Sequence, residues 1–277
     1  MAAKLGPLSV WSLVRELRIA AEDDRFVAVA GARALAESLR RELVRGGDGR
    51  YVREAPVEDA AVLVYVAAGE PDEALLKRAH RAKVPVVAIA EDDVPHVLAT
   101  DVVRLRPGHG FPLEEIAHAI ARKLGERATP LAAHLPVLRR EVCAQLVADF
   151  ARKNGILGAA VFVPGVDLPV LTLNQLRLVL RIAAAYGKDV DASRAPEIAG
   201  VVGSAFGWRA LARELLDFVP VAGWAGKGAV AYAGTKAVGE AAIRYFDARS
   251  AGPRSHLTAA PADSSNVSTG RFGRTRG

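Results

Sequence analysis

The spacing of hydrophobic positions changes character along this chain. Over residues 8–22, Leu8, Trp11, Val14, Leu17 and Ala21 recur at helical spacing with Arg15, Glu16 and Arg18 opposite, which predicts an amphipathic helix. From 25 to 127, short unbroken apolar runs alternate with helical patterns. The runs at 26–30, 61–66, 84–89 and 101–105 are rich in Val, Ile and Ala and read as strands, while 34–43, 72–82 and 113–124 read as helices. Strands without polar alternation need cover on both faces, so these segments predict a small, mostly parallel α/β sheet. Residues 128–247 are expected to form a separate all-α helical domain.

The helical part carries a long Gly/Ala-loaded apolar stretch, 155–246. A bilayer-spanning helix needs about 20 consecutive apolar residues. Here Asp167, Arg177, Arg181, Asp217, Lys227 and Lys236 interrupt each run first. A protein core, a partner or the membrane interface therefore has to cover this surface. In the helix expected at 170–186, Asn174, Arg177 and Arg181 form one narrow polar stripe bordered by Gln175. A helix apolar over most of its circumference sits at the centre of a bundle or sinks into lipid. In the bundle reading the two arginines reach a groove or a carboxylate such as Asp167. Pro164 and Pro169, flanking Gly165 and Asp167, predict a sharp turn before this helix. The helix expected at 221–246 aligns Ala225, Ala229, Ala233, Ala237 and Ala241 in one row, with Gly226 and Gly234 beside it, a pattern suited to close helix approach in membranes and in soluble bundles. Lys236, Glu240 and Arg244 pair at four-residue spacing near its end and place that end in water. Trp208, Trp224, Tyr232 and Tyr245 fit an interfacial belt or a core.

Charge and composition modify this picture only slightly. Of the 277 residues 51% are hydrophobic and 25% charged, which excludes global disorder and a conventional multispanning protein. The net charge of +6 suggests a nucleic-acid partner until it is located. Residues 248–277 hold Arg249, Arg254, Arg271, Arg274 and Arg276 against Asp263 alone, so most of the excess lies in a Ser/Gly/Ala/Pro-rich tail expected to be disordered. The remainder is close to neutral, and no specific nucleic-acid partner is expected. Cys143 is the lone cysteine, on an amphipathic helix, and reads as a buried packing residue in a reducing compartment. The charged N-terminus lacks the apolar core of an export signal. Histidines 80, 96, 109, 118, 134 and 256 are scattered, so no metal site is expected. No Ser-His-Asp ordering or carboxylate pair assembles, and no catalytic residue is assigned. Asp92 and Asp93 follow a strand, where α/β folds bind ligands, but read as a solvated loop.

The first strand–Gly–helix junction is where a phosphate loop would lie. Such a loop needs two glycines, a lysine for the β/γ-phosphates and a hydroxyl for magnesium. Gly31-Ala32-Arg33-Ala34-Leu35-Ala36-Glu37-Ser38 keeps the first glycine and the final serine. Ala36 replaces the second glycine, and Glu37 puts a negative charge at the lysine position. Gly31, Arg33 and Ser38 are thus the remnant of a nucleotide site, and neither hydrolysis nor a bound cofactor is expected.

Val161-Phe-Val-Pro-Gly-Val-Asp-Leu-Pro-Val-Leu-Thr-Leu-Asn-Gln-Leu-Arg-Leu-Val-Leu-Arg-Ile-Ala-Ala-Ala-Tyr-Gly187 resembles the signature of domain of unknown function 697. Pro164, Asp167, Pro169, Asn174, Gln175, Arg177, Tyr186 and Gly187 carry the resemblance, which covers about 130–247. Bacterial members of that family often join this domain to an Era-like small GTPase domain, and relatives are described as membrane-associated. The resemblance implies a degenerate P-loop GTPase-like α/β domain at 25–127, after an N-terminal helix at 1–24, with the all-α domain at 128–247 and the basic tail at 248–277. It implies a non-catalytic pseudo-GTPase-like regulatory or scaffold protein on the cytoplasmic face of the membrane. A soluble protein–protein interaction module in the cytoplasm stands as the alternative, and a GTP-binding protein with an aberrant loop as a further one. The expected partner is a lipid surface, another protein or a second copy.

Overall fold

The computed structural model describes residues 15, 23–54, 56–106, 108–160, 167–188 and 224–250. Arg15 is helical, but the rest of the helix expected at 8–22 lies outside the described residues, as do Pro164, Trp208 and the tail from 251 onward. The elements, in chain order, are β1 Val27–Gly31, α1 Arg33–Val44, β2 Val52–Arg53, β3 Val62–Val66, α2 Glu73–Arg81, β4 Val86–Ala90, β5 Val102–Arg104, α3 Leu113–Leu124, α4 Thr129–His134, α5 Pro136–Ala160, α6 Asp167–Ala185 and α7 Trp224–Ser250. Expected strands and helices in the first half are present, with ends shifted by a residue or two. β2 is an addition, because two residues are too few to show a period.

The five strands form one wholly parallel sheet in the order β2-β1-β3-β4-β5. This is the order of flavodoxin-like doubly wound sheets, with the topological switch point between β1 and β3. Side chains of a strand alternate between faces, and the burial follows. Val27, Val29, Val62, Val64, Val66, Val87 and Ile89 pack on one face with Leu39 and Leu43 of α1 and Ile116 and Ile120 of α3. Ala28, Leu63, Tyr65, Ala88 and Ala90 face the other way, against Leu76 and Ala79 of α2. Fully burying each large aliphatic side chain contributes about 1.5–3 kcal/mol, so these two layers hold the sheet. The β2–β3 and β4–β5 connections carry only short 3₁₀ turns, Val57–Asp59 and Ala99–Asp101.

The first of these layers does not stop at the sheet. It continues without interruption through Leu131, Leu138, Val142, Leu146 and Phe150 to Leu178, Ile182 and Phe246. Here α5, α6 and α7 pack together. Asp101 ties the sheet to α3: its buried carboxylate accepts from Arg122 at 2.9 Å and also pairs with Lys123.

α6 begins at Asp167, so Pro169 lies inside its first turn and not in a preceding loop. A proline is tolerated there because first-turn N–H groups have no intrahelical acceptor. α7 runs from Trp224 to Ser250. The alanine row predicted to mediate close approach faces out along its middle, where Ala229, Ala233 and Ala237 are exposed, and is buried at Ala241. The contact is made by glycines a quarter turn away. A Cβ on Gly228 would lie 2.8 Å from the carbonyl oxygen of Gly155, and one on Gly158 would lie 2.8 Å from Ala231 Cβ. Lys236 and Glu240 pair at 3.8 Å on the outer face, as their spacing predicts.

Candidate functional site

Two places assemble the residues singled out by the sequence. The first is the carboxyl edge of the sheet. β1 ends at Gly31 and α1 begins at Arg33, leaving Ala32 alone to make the turn. The Ala32 N–H donates to the Val66 carbonyl at 2.9 Å. Gly31 adopts φ +110°, and a Cβ there would sit 2.1 Å from the same carbonyl oxygen. This glycine is therefore required by the approach of β1 to β3 at the switch point. A phosphate cradle needs several free N–H groups curled ahead of the helix. Here one is spent on the sheet, and Arg33 through Ser38 are already helical. Gly31, Arg33 and Ser38 follow one another along a strand end and a helix, and do not converge on a common point.

Beside that turn lies a cleft of about 330 Å³ between the ends of β3, β4 and β5, lined by Leu35, Gly69, Leu105 and the run Glu91-Asp92-Asp93. The Arg104 guanidinium holds Asp93 at 2.5 Å and donates to the Glu91 carbonyl at 3.0 Å. Acidic side chains at the mouth oppose a phosphate electrostatically. Among the described residues no group of three or more His, Cys, Asp or Glu side chains could hold a metal ion.

The second place is the interior of the helical part. Asn154 of α5 and Thr235 of α7 are completely buried. Asn154 Nδ2 donates to Thr235 Oγ1 at 2.9 Å, and Asn174 Nδ2 of α6 donates to Asn154 Oδ1 at 2.8 Å. Gln175 Nε2 reaches Thr235 Oγ1 at 3.5 Å, and that hydroxyl donates onward to the Ala231 carbonyl at 2.8 Å. About two turns further along α6, the nearly buried Arg181 pairs with Glu126 Oε2 at 2.8 Å, and Lys153 Nζ holds Glu126 Oε1 at 2.6 Å. Burial pushes the Glu126 carboxyl up. The Lys153 hydrogen bond and the charges of Arg181, Lys153 and Arg177 outweigh that and hold it below the usual carboxylate range. Arg181 thus reaches a carboxylate, as expected, and that carboxylate is Glu126; the Asp167 side chain lies outside the described residues.

At the far end of α6, Gly187 adopts φ +67° and closes the helix. Its N–H donates to the Ala184 carbonyl at 2.8 Å and that of Lys188 to Ala183 at 3.0 Å, the two bonds of a Schellman motif. Tyr186 donates its hydroxyl to the Asp247 carboxylate, stacks on Phe246 at 5.6 Å, and lies under the Arg139 guanidinium at 5.0 Å. Burial, reinforced by that hydrogen bond, pushes the phenol well up. Cys143 lies in the same buried region, where desolvation pushes its thiol up to about 12.

The signature residues are therefore distributed along one helix. Asp167 and Pro169 lie in its first turn, Asn174, Gln175 and Arg177 along its middle, and Tyr186 and Gly187 at its end. Asn174, Gln175 and Tyr186 tie this helix to α5 and α7. Sequence reading missed Asn154, Thr235 and Glu126, the partners that complete the network. The available signal was a single amide and a single hydroxyl set inside otherwise apolar helices. Comparison of the chain with protein-family models, with curated proteins and with solved structures returned no match.

Proposed function

We propose that this is a non-catalytic regulatory or scaffold protein that attaches peripherally to the cytoplasmic face of the membrane through its helical part. The observation that carries the reading is apolar exposure at one end of the helix bundle. Ile156 of α5, Val170 of α6 and Tyr232 of α7 are 63%, 48% and 42% exposed. Ile156 and Tyr232 sit beside the glycine-mediated contact, where Tyr232 Cβ is 3.2 Å from the position of a Cβ on Gly155. Large side chains held out at the end of a close-packed bundle suit shallow insertion at a lipid interface. No described helix is long and apolar enough to cross a membrane. In this reading the α/β part is a GTPase-like domain that has lost its nucleotide. The one-residue turn at Ala32 and the acidic mouth of the neighbouring cleft support the loss.

Flotation of the intact protein with anionic vesicles tests the membrane reading. Ile156→Glu with Tyr232→Glu should abolish flotation while the far-ultraviolet circular dichroism stays unchanged. Flotation that survives both substitutions would refute it. A thermal-shift titration with GTP and magnesium tests nucleotide loss. A ligand present at a hundred times its Kd stabilises by about 2.7 kcal/mol, worth about 5 °C for a chain of this size. Millimolar GTP should produce no shift, and an increase of that size would restore the nucleotide-binding reading.

The strand order favours a second reading. A β2-β1-β3-β4-β5 sheet is flavodoxin-like, and the α/β part would then serve as a soluble protein-interaction module. Absence of flotation together with a discrete hetero-complex would support it.

A further inference from the structure

Among the described residues the second face of the sheet carries fewer helices than the first, which packs against α1 and α3. α2 is the only α-helix on it among the described residues, because the β4–β5 connection turns back through Ala99–Asp101 where parallel strands are usually joined by a full helix. Between α2 and that connection lies a cleft of about 410 Å³ lined by Lys77, His80 and Arg81 of α2 and by His96. Among the described residues the four lining side chains are all basic. The acid at the rim is Glu73, which accepts from Lys77 at 2.7 Å and lies 3.5 Å from His96 Nε2. Arg81 makes only a long contact, 3.4 Å, to the Lys77 carbonyl of its own helix. Outside the cleft, Arg78 pairs with Glu58 at 3.5 Å and Lys83 adds another positive charge.

Cations in the last turn of a helix are favoured by its dipole, which accounts for His80 and Arg81 without any ligand. That explanation does not reach His96. This residue arrives from a different segment, at the third position of the turn Val94–Val97 after Pro95, which the Val97 N–H closes on the Val94 carbonyl at 3.2 Å and which accounts for its φ of +61°. Its convergence with α2 from that separate turn is what marks the cleft.

We propose that this cleft binds a phosphate-bearing anion. An arginine fork, a lysine point charge and two imidazole N–H donors match the oxygens of a tetrahedral phosphate. The volume lies within the range of small-ligand sites and leaves room for the group that carries the phosphate. That group belongs to a soluble phosphate ester or to a phospholipid headgroup. The proposal is independent of the membrane reading above, since the cleft lies on the sheet and the apolar patch on the helices.

Isothermal titration of the intact chain with inorganic pyrophosphate, run beside sedimentation with phosphatidylglycerol vesicles, tests it. Pyrophosphate should saturate with one equivalent per chain and shift the His80 and His96 ring resonances. Lys77→Gln with Arg81→Gln should weaken binding by about tenfold or more. Arg40→Gln, on the opposite face of the sheet, should leave it unchanged. Vesicle binding that depends on Lys77 and Arg81, without pyrophosphate binding, assigns the headgroup as the source and upholds the site. Failure of both ligands to bind, or equal binding by the double variant, overturns it. If the double variant melts at a lower temperature than the parent, His96→Gln decides by the same tenfold criterion.

Discussion

Lys83 ends α2 in a conformation that suits glycine. Its φ is +57°, its N–H donates to the His80 carbonyl at 3.0 Å, and the Val84 N–H donates to Ala79 at 3.0 Å. These bonds form a Schellman motif with a lysine where glycine carries no Cβ penalty. Lys83→Gly should therefore raise stability by about 0.5–1 kcal/mol in urea denaturation, the relief of left-handed strain exceeding the entropy added to the unfolded chain. Cys143 gives a second expectation at this scale. Its thiol is raised from 9.0 to about 12 by burial, so the unfolded chain loses this proton first as pH rises. The stability the thiol contributes is intact below pH 9 and declines between pH 9 and 12, by up to about 1.4 kcal/mol per pH unit. Cys143→Ala should flatten that alkaline decline. The native thiol should also resist iodoacetamide at pH 8 and react once urea unfolds the chain.

At the scale of elements, the spacing of α5 and α7 is set by residues without side chains. A Cβ at Gly239 would meet Val147 Cγ2 at 2.4 Å, and one at Gly228 would meet the Gly155 carbonyl oxygen at 2.8 Å. Alanine gains up to about 1 kcal/mol over glycine within a helix, whereas overpacking a filled interface costs about 1–3 kcal/mol. Gly228→Ala is opposed by backbone, which yields less readily than a side chain, so it should lower stability by about 1–2 kcal/mol in a denaturant titration. An unchanged or higher midpoint would show that α5 and α7 can separate freely. The polar network limits such movement. Asn154, Asn174 and Thr235 come from three helices, and a buried amide that loses its partner costs about 1–3 kcal/mol.

For the molecule as a whole, Glu126 is a charged junction between the sheet side and the helices, beside the α3–α5 pairs His118–Glu141 and Glu114–Arg140. It lies in the 3₁₀ turn Gly125–Ala128 that follows α3, and it holds Lys153 of α5 and Arg181 of α6. Its folded-state pKa is held below 4.5, so its stabilising contribution is present above that pH and is lost as pH falls through the folded value. Glu126→Gln should cost about 1–3 kcal/mol near neutral pH, because it removes the negative charge that both Lys153 and the buried Arg181 pair with. The variant should also show a shallower loss of stability below pH 4.5 in acid titrations followed by circular dichroism. A parent and variant with parallel acid profiles would remove Glu126 from this role.

Local pattern alone was enough for the alternating half of the chain. Unbroken Val/Ile/Ala runs can form only strands covered on both faces, and β1, β3, β4, α2 and α3 lie where periodicity puts them. The departure of residues 31–38 from a phosphate-loop pattern was also legible, since Ala36 and Glu37 stand where that pattern needs a glycine and a lysine. Strand order, the two-residue β2, the glycine-side contact of α7 and the choice of Glu126 for Arg181 were decided only in three dimensions. Asn154 and Thr235 are 81 residues apart, and periodicity records which way a side chain faces but not what it meets. A cleft such as that between α2 and His96 is likewise invisible to spacing, because its walls come from segments that only the sheet brings together.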